Sequence, residues 1–206
     1  MIMINQNIQL PRTLKVNIVA PPSRGKTSLM RLMAAQLKLI HQADVETVDE
    51  FAKEKCFMGI DLFTQSEDMK KEELLEQNRR EEIFKNKVDI LLTSSPLMIV
   101  GFYLEKPEYV NKAKELTSQN CHEIYFYLTK DQKFGYESNG RELWTEEKTS
   151  QLELKMINYC NSHNLDLHFL HGSPEERVNQ MINKVLEITA HKKSNNVESN
   201  LIINNG

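Results

Sequence analysis

The residues with the most chemistry to offer lie between Thr13 and Ile40, TLKVNIVAPPSRGKTSLMRLMAAQLKLI. Gly25, Lys26 and Thr27 match the second half of the phosphate-binding pattern G-x-x-x-x-G-K-[ST], with Ala20 in place of its first glycine. Backbone N–H groups from Ser23 through Arg24, Gly25, Lys26 and Thr27 to Ser28 can curl around a phosphate at the positive end of a helix. Gly25 permits close backbone approach and unusual dihedrals. The Lys26 ammonium can reach the terminal phosphates of a nucleoside triphosphate, and the Thr27 hydroxyl is the candidate magnesium ligand. Pro21 and Pro22 have no N–H to give, but they precede the cradle. A bare G-K-T is common by chance. Here a buried strand stands before it and an amphipathic helix after it, the context that the motif requires.

The elements that must hold this loop are readable from apolar spacing. Val16, Ile18, Val19 and Ala20 form a short apolar run, and Leu29, Met33, Leu37 and Ile40 share one helical face. Asp44–Val48 reads as a second strand and Val88–Thr93 as a buried third one. Between them, 67–87 reads as a long solvated helix with a weak apolar stripe at Leu74, Leu75, Ile83 and Phe84. Pro107–Gln119 reads as a helix, His122–Leu128 as a strand, Thr145–Asn161 as a helix and Leu165–Leu170 as a last strand. Ser173, Pro174 and Glu176 then form a capping box with proline at the first helical position. Strands and helices alternate about five times, which predicts an α/β fold with a parallel sheet covered on both faces. Residues 1–12 read as an extension and the asparagine-rich 194–206 as a loose tail, leaving one domain across 1–206.

In such a sheet, ligands gather at the carboxyl ends of the strands. That rule sets Asp89 at the wrong end of its strand. Asp49, Glu50, Ser94 and Ser95 fall on the same edge as the phosphate loop. Asp49 or Glu50 is the candidate base or orienting group, although acids also suit a helix N-terminus for electrostatic reasons alone. Gln77 and Arg80 lie on adjacent faces of the charged helix and can point into a cleft.

Composition narrows the setting. With 206 residues, 40% hydrophobic and 27% charged, the chain suits a soluble domain with a substantial core. Cys56, Cys121 and Cys160 are scattered and odd in number, which suits a reducing cytoplasm rather than a disulfide framework. No apolar run approaches membrane-spanning length, and no charged-then-apolar leader is evident. A net charge of −3 disfavours DNA as a partner, because duplex binding draws on a positive surface.

The chain resembles the P-loop kinases, nearest to the small ribosylnicotinamide-kinase-type ATPases and kinases, many of them encoded by bacteriophages. VNIVAPPSRGKTSL resembles their phosphate loop, VETVDEFAKE their second strand, VDILLTSSPL their third and FGYESNGRELWTEE their lid. The likeness runs from Lys15 to about Val185. Ser94 stands where that family has a third-strand acid that helps to hold magnesium. The resemblance implies a P-loop NTPase three-layer sandwich, with a short lid at 131–144. It implies ATP and Mg2+ as cofactors and phosphoryl transfer to a hydroxyl of a nucleoside, nucleotide or modified nucleobase. On it, Glu50 or Asp49 orients the acceptor hydroxyl and Arg141, with Lys133, closes over the phosphates. Gln77 and Arg80 recognise the acceptor, and Gly172 and Ser173 lie near the adenine. The rival class is an ATP-binding switch or degenerate ATPase without a small acceptor, which Ser94 favours.

Overall fold

β1 (Leu14–Val19) is buried along its whole length, and the rest of the chain is layered on it. A computed structural model describes residues 13–60, 64–118, 122–130 and 146–203. Five parallel strands stand in the order β2-β3-β1-β4-β5, with β2 at Val45–Val48, β3 at Ile90–Thr93, β4 at His122–Leu128 and β5 at Leu167–Leu170. Leu14 is in register with Ile90 on one side and His122 on the other, so the phosphate-loop strand occupies the centre.

Alternation along β1 separates the two faces. Leu14, Val16 and Ile18 pack with Met30, Met33 and Leu37 of α1 (Lys26–Leu39), and with Val178, Met181 and Val185 of α7 (Pro174–Ile203). Each such buried side chain contributes about 1.5–3 kcal/mol of transfer free energy. Val19, Tyr125 and Tyr127 face the other way, against Ile99 of α4 (Leu97–Leu104) and Met156 and Cys160 of α6 (Glu146–Ser162). A third cluster joins Leu74 of α3 (Glu67–Glu82) to α4 and to Tyr109 and Ala113 of α5 (Pro107–Ser118). α2 (Phe51–Phe57) follows β2 directly.

Three differences from the sequence reading have physical causes. α4 is apolar all round, so it carries no periodicity to read; Leu97 through Gly101 are all buried. α3 buries only Leu74 of the stripe expected of it, with Phe84 half-buried. Leu75 and Ile83 are 43% and 46% exposed, while Glu73, Leu74, Gln77 and Glu81 are buried. The tail read as loose is helical as far as Ile203, because extending an existing helix is far cheaper than nucleating one. The 131–144 lid and the 1–12 extension lie outside the described residues.

Candidate active site

The phosphate loop has the shape its residues predict. Ser23 and Gly25 both adopt left-handed backbone, with φ of 62° and 78°. For Ser23 this costs about 1–2 kcal/mol, a strain held in place by the buried β1 behind it and α1 ahead. Nothing lies within 4 Å of a Cβ built on Gly25, so glycine is required there for its dihedrals rather than for space. Gly25 caps α1 without a side-chain hydrogen bond, and the first turn holds no acid. The positive end of the helix is thus open to an anion. Lys26 is folded over its own loop, where its Nζ donates to the carbonyls of Ala20 at 2.8 Å and Pro21 at 3.0 Å. Arg24 lies against α6, with its guanidinium 3.7 Å from Glu153. Thr27 is half-buried in the first turn and Ser28 is exposed.

Val48 and Thr93 are partners in the sheet, so Asp49 and Ser94 sit side by side one residue beyond them. Ser94 is 2% exposed and its hydroxyl has no hydrogen-bond partner in the protein. Asp49 gives one oxygen to Arg31 at 3.0 Å, and its other oxygen is buried without a partner. Among the described residues no cluster of three metal-ligating side chains occurs. This donor set fits magnesium in the usual manner of phosphoryl-transfer sites, where the ion rests on a hydroxyl, a carboxylate and the triphosphate itself. Glu50 caps α2 in extended backbone and turns to a different surrounding. It lines a cavity of about 450 Å³ whose wall also includes Pro22 of the phosphate loop, Gln65, Glu73, Phe102, Tyr103 and Tyr159. A space of this size suits a small molecule. Burial pushes the Glu73 carboxyl above its usual range, against the pull of Gln65 and Lys55.

Gln77 and Arg80 are not on that wall. Gln77 is 1% exposed; its carbonyl oxygen accepts from the Phe51 N–H at 3.1 Å and so caps the start of α2. Arg80 holds Glu54 with Nη2 at 2.7 Å and Glu76 with Nε at 2.9 Å, while its guanidinium lies over the Phe51 ring. The Glu76 carboxyl is held down to about 2 by Arg79 and Arg80. Both residues brace α2 against α3, away from the cavity wall.

Beneath that brace runs a buried polar network. Lys15 of β1 is 1% exposed and pairs with Glu81 of α3, and with Glu123 of β4 at 2.9 Å. Tyr125 donates to Glu123, Asn17 donates to it at 3.2 Å, and Gln77 donates to Glu81 at 3.4 Å. Burial alone would lower the Lys15 pKa, but the two carboxylates raise it above its ordinary value. The signal for this network was present as polar residues on alternate positions of two strands, Lys15 and Asn17 beside Glu123 and Tyr125.

At the far edge, Gly172 and Ser173 build the start of α7. Ser173 N–H donates to Glu176 at 2.7 Å, and the Glu176 N–H donates back to Ser173 Oγ at 3.3 Å. Gly172 has φ +89°, and a Cβ there would meet the Glu176 carboxylate at 2.4 Å. Both follow β5, on the edge of the sheet where the phosphate loop also lies. Lys133 and Arg141 lie outside the described residues.

Strand order, parallel sense and a loop with left-handed Ser23 and Gly25 leading into Lys26 and Thr27 together define a P-loop NTPase of the kinase-like fold. The chain belongs to the AAA domain family, whose pattern matches residues 15–177. Among solved structures it is similar to NadR protein in complex with NR, at TM-score 0.60 and 14% identity, over 78% of this chain and 46% of that one. It is also similar to thymidylate kinase from Ehrlichia chaffeensis, at TM-score 0.50 and 14% identity, over 87% of this chain and 100% of the other. This chain thus spans less than half of the NadR chain, and at these identities the likeness is one of fold. No match is found among curated proteins. No described helix is long and apolar enough to cross a membrane.

Proposed function

We propose that this chain is an ATP-dependent phosphotransferase acting on a hydroxyl of a nucleoside, nucleotide or modified nucleobase. The observation that carries the reading is the cavity of about 450 Å³ that opens between the phosphate loop, through Pro22, and the carboxylate of Glu50. A binding loop alone serves any NTPase; a formed pocket with a carboxylate beside the loop gives a second substrate somewhere to sit. Structural relatives solved with NR or named a thymidylate kinase use the same frame.

Each residue then has a role. Backbone N–H groups from Ser23 to Ser28 cradle the phosphates, and Lys26 swings from the Ala20 and Pro21 carbonyls to the terminal phosphate. Magnesium, when bound, neutralises phosphate charge; Thr27 would hold it, with Asp49 and Ser94 behind. Glu50 orients the acceptor hydroxyl and takes its proton as the oxygen bonds to the terminal phosphorus and the bond from that phosphorus to the ADP oxygen breaks, releasing ADP. Arg141 and Lys133 close over the phosphates, and Gly172 and Ser173 border the adenine. A reducing cytoplasm suits its scattered cysteines.

Incubating the protein with magnesium, labelled ATP and a panel of nucleosides, nucleotides and DNA tests the reading. Label on an acceptor supports it. Phosphate release with no labelled acceptor points instead to a degenerate ATPase, a reading that Ser94 at the third-strand end favours. Lys26→Ala is expected to lose binding of a non-hydrolysable ATP analogue while keeping its unfolding midpoint, since the side chain lies on a loop and not in the core. Turnover of ATP at the parent rate by that variant would sink the phosphate-loop assignment.

A further inference from the structure

The cavity wall opposite the phosphate loop carries polar atoms that the fold itself does not use. Gln65 is 9% exposed, and its side-chain amide is held by a 3.2 Å bond from Nε2 to Glu73. That bond fixes the rotamer and leaves the carbonyl oxygen buried without a partner. Tyr159 lines the same cavity, and its hydroxyl is likewise buried without a partner. Buried oxygens left unpaired cost about 1–3 kcal/mol each, so two on one wall are the mark of a ligand that completes them.

The charges around them restrict that ligand. Glu50, Glu73 and Glu105 line the cavity, with Lys70 and Lys155 as the described cations. Lys70 lies 3.5 Å from Glu67. Two cations nearby are already engaged: buried Lys55 with the Met69 carbonyl at 3.1 Å, and half-buried Arg80 with Glu54. Among the described residues no arginine fork lines this wall, and Glu50, at the start of α2, and Glu73 set carboxylates there that would repel a phosphate. Phe102 and Tyr159, with ring centres 5.1 Å apart, offer an apolar face for a planar ring.

We propose that Gln65, Glu73 and Tyr159 are the specificity-determining residues of this cavity, taking hydrogen bonds from hydroxyl or amine groups of an acceptor that carries no phosphate. This rests on the phosphotransferase reading and narrows it, since a nucleotide or a DNA strand then falls outside the site's preference.

The full chain, saturated with a non-hydrolysable ATP analogue and magnesium, is titrated calorimetrically with adenosine, guanosine, cytidine and thymidine and with each 5′-monophosphate. Labelled-ATP transfer is measured on the same panel. The expected result is a nucleoside binding at least about tenfold more tightly than its monophosphate, the scale of one or two hydrogen bonds and a charge repulsion. Tyr159→Phe forfeits no internal hydrogen bond, so it keeps the unfolding midpoint and still weakens that nucleoside about tenfold. Gln65→Leu is expected to weaken that nucleoside likewise, but with a lowered unfolding midpoint, since it also forfeits the bond to buried Glu73. Binding of nucleosides without transfer upholds this inference and fails the phosphotransferase reading. Transfer to monophosphates or DNA in preference to nucleosides upholds the phosphotransferase and overturns the inference. Nucleoside binding unaltered in Tyr159→Phe and Gln65→Leu also overturns it, and no binding of any nucleoside does so as well.

Discussion

Glu50 and Asp49 are neighbours in sequence with unlike surroundings. Asp49 is tied to Arg31 across the open end of the sheet, whereas Glu50 lines the cavity. Glu50→Gln keeps size and hydrogen bonding but removes the charge. Transfer is therefore expected to fall by roughly a hundredfold, with the affinity for an ATP analogue retained. Asp49→Asn is the control, and the two roles exchange if single-turnover measurements show transfer lost in it and spared in Glu50→Gln. At this scale the sequence was legible where the chemistry is local. Gly25, Lys26 and Thr27 are consecutive, and one motif contains them. Gln65 lies just before α3 and Glu73 within it, whereas Tyr159 comes from α6, and no spacing joins it to them. Gln77 and Arg80 pose a related problem. A polar helix face can be turned to a cleft or to a buried ion, and only the fold shows that these meet Phe51 and Glu54.

Among the elements, α3 reads as a solvated helix and proves to bury two carboxylates, Glu73 and Glu81. Glu73, Gln77 and Glu81 recur every four residues on one face, which docks on a strand with a lysine inside it. Lys15→Met should leave Glu81 and Glu123 facing each other without a cation, a loss of about 3–5 kcal/mol. A urea midpoint that does not move would show the network to be energetically idle. Adding Glu81→Leu to that variant is expected to recover part of the loss, because a well-packed apolar pair spares the desolvation of ions. α1 and β3 were legible because each has a clean period or an unbroken apolar run. α4 and the short α2 were not: the first has no polar face, and the second has one buried alanine and a buried lysine to mark it.

For the whole molecule, the alternation of strand and helix was enough to predict a parallel sheet, but not which strand lies beside which. That order is settled by long-range packing, with β1 drawn to the centre because both of its faces are covered. A loop held between that strand and α1 ties ligand binding to global stability. ATP with magnesium at a hundred times its dissociation constant adds about 2.7 kcal/mol, which is expected to raise the unfolding midpoint by roughly 5–10 °C. Lys26→Ala should show no such rise in a thermal melt. The central place of β1 also has a consequence for synthesis. Thr13 bonds to Val88, 75 residues further on, and Asn17 to Glu123, 106 residues further on. On a ribosome adding roughly 5–20 residues per second, the first strand to emerge then waits about 5–20 seconds for its second neighbour. Through that interval the nascent chain holds an unfinished edge, with the Lys15 ammonium still in water. Only when Glu123 arrives can that charge be taken inside, so the last ion pair of the network reports the completion of the central sheet.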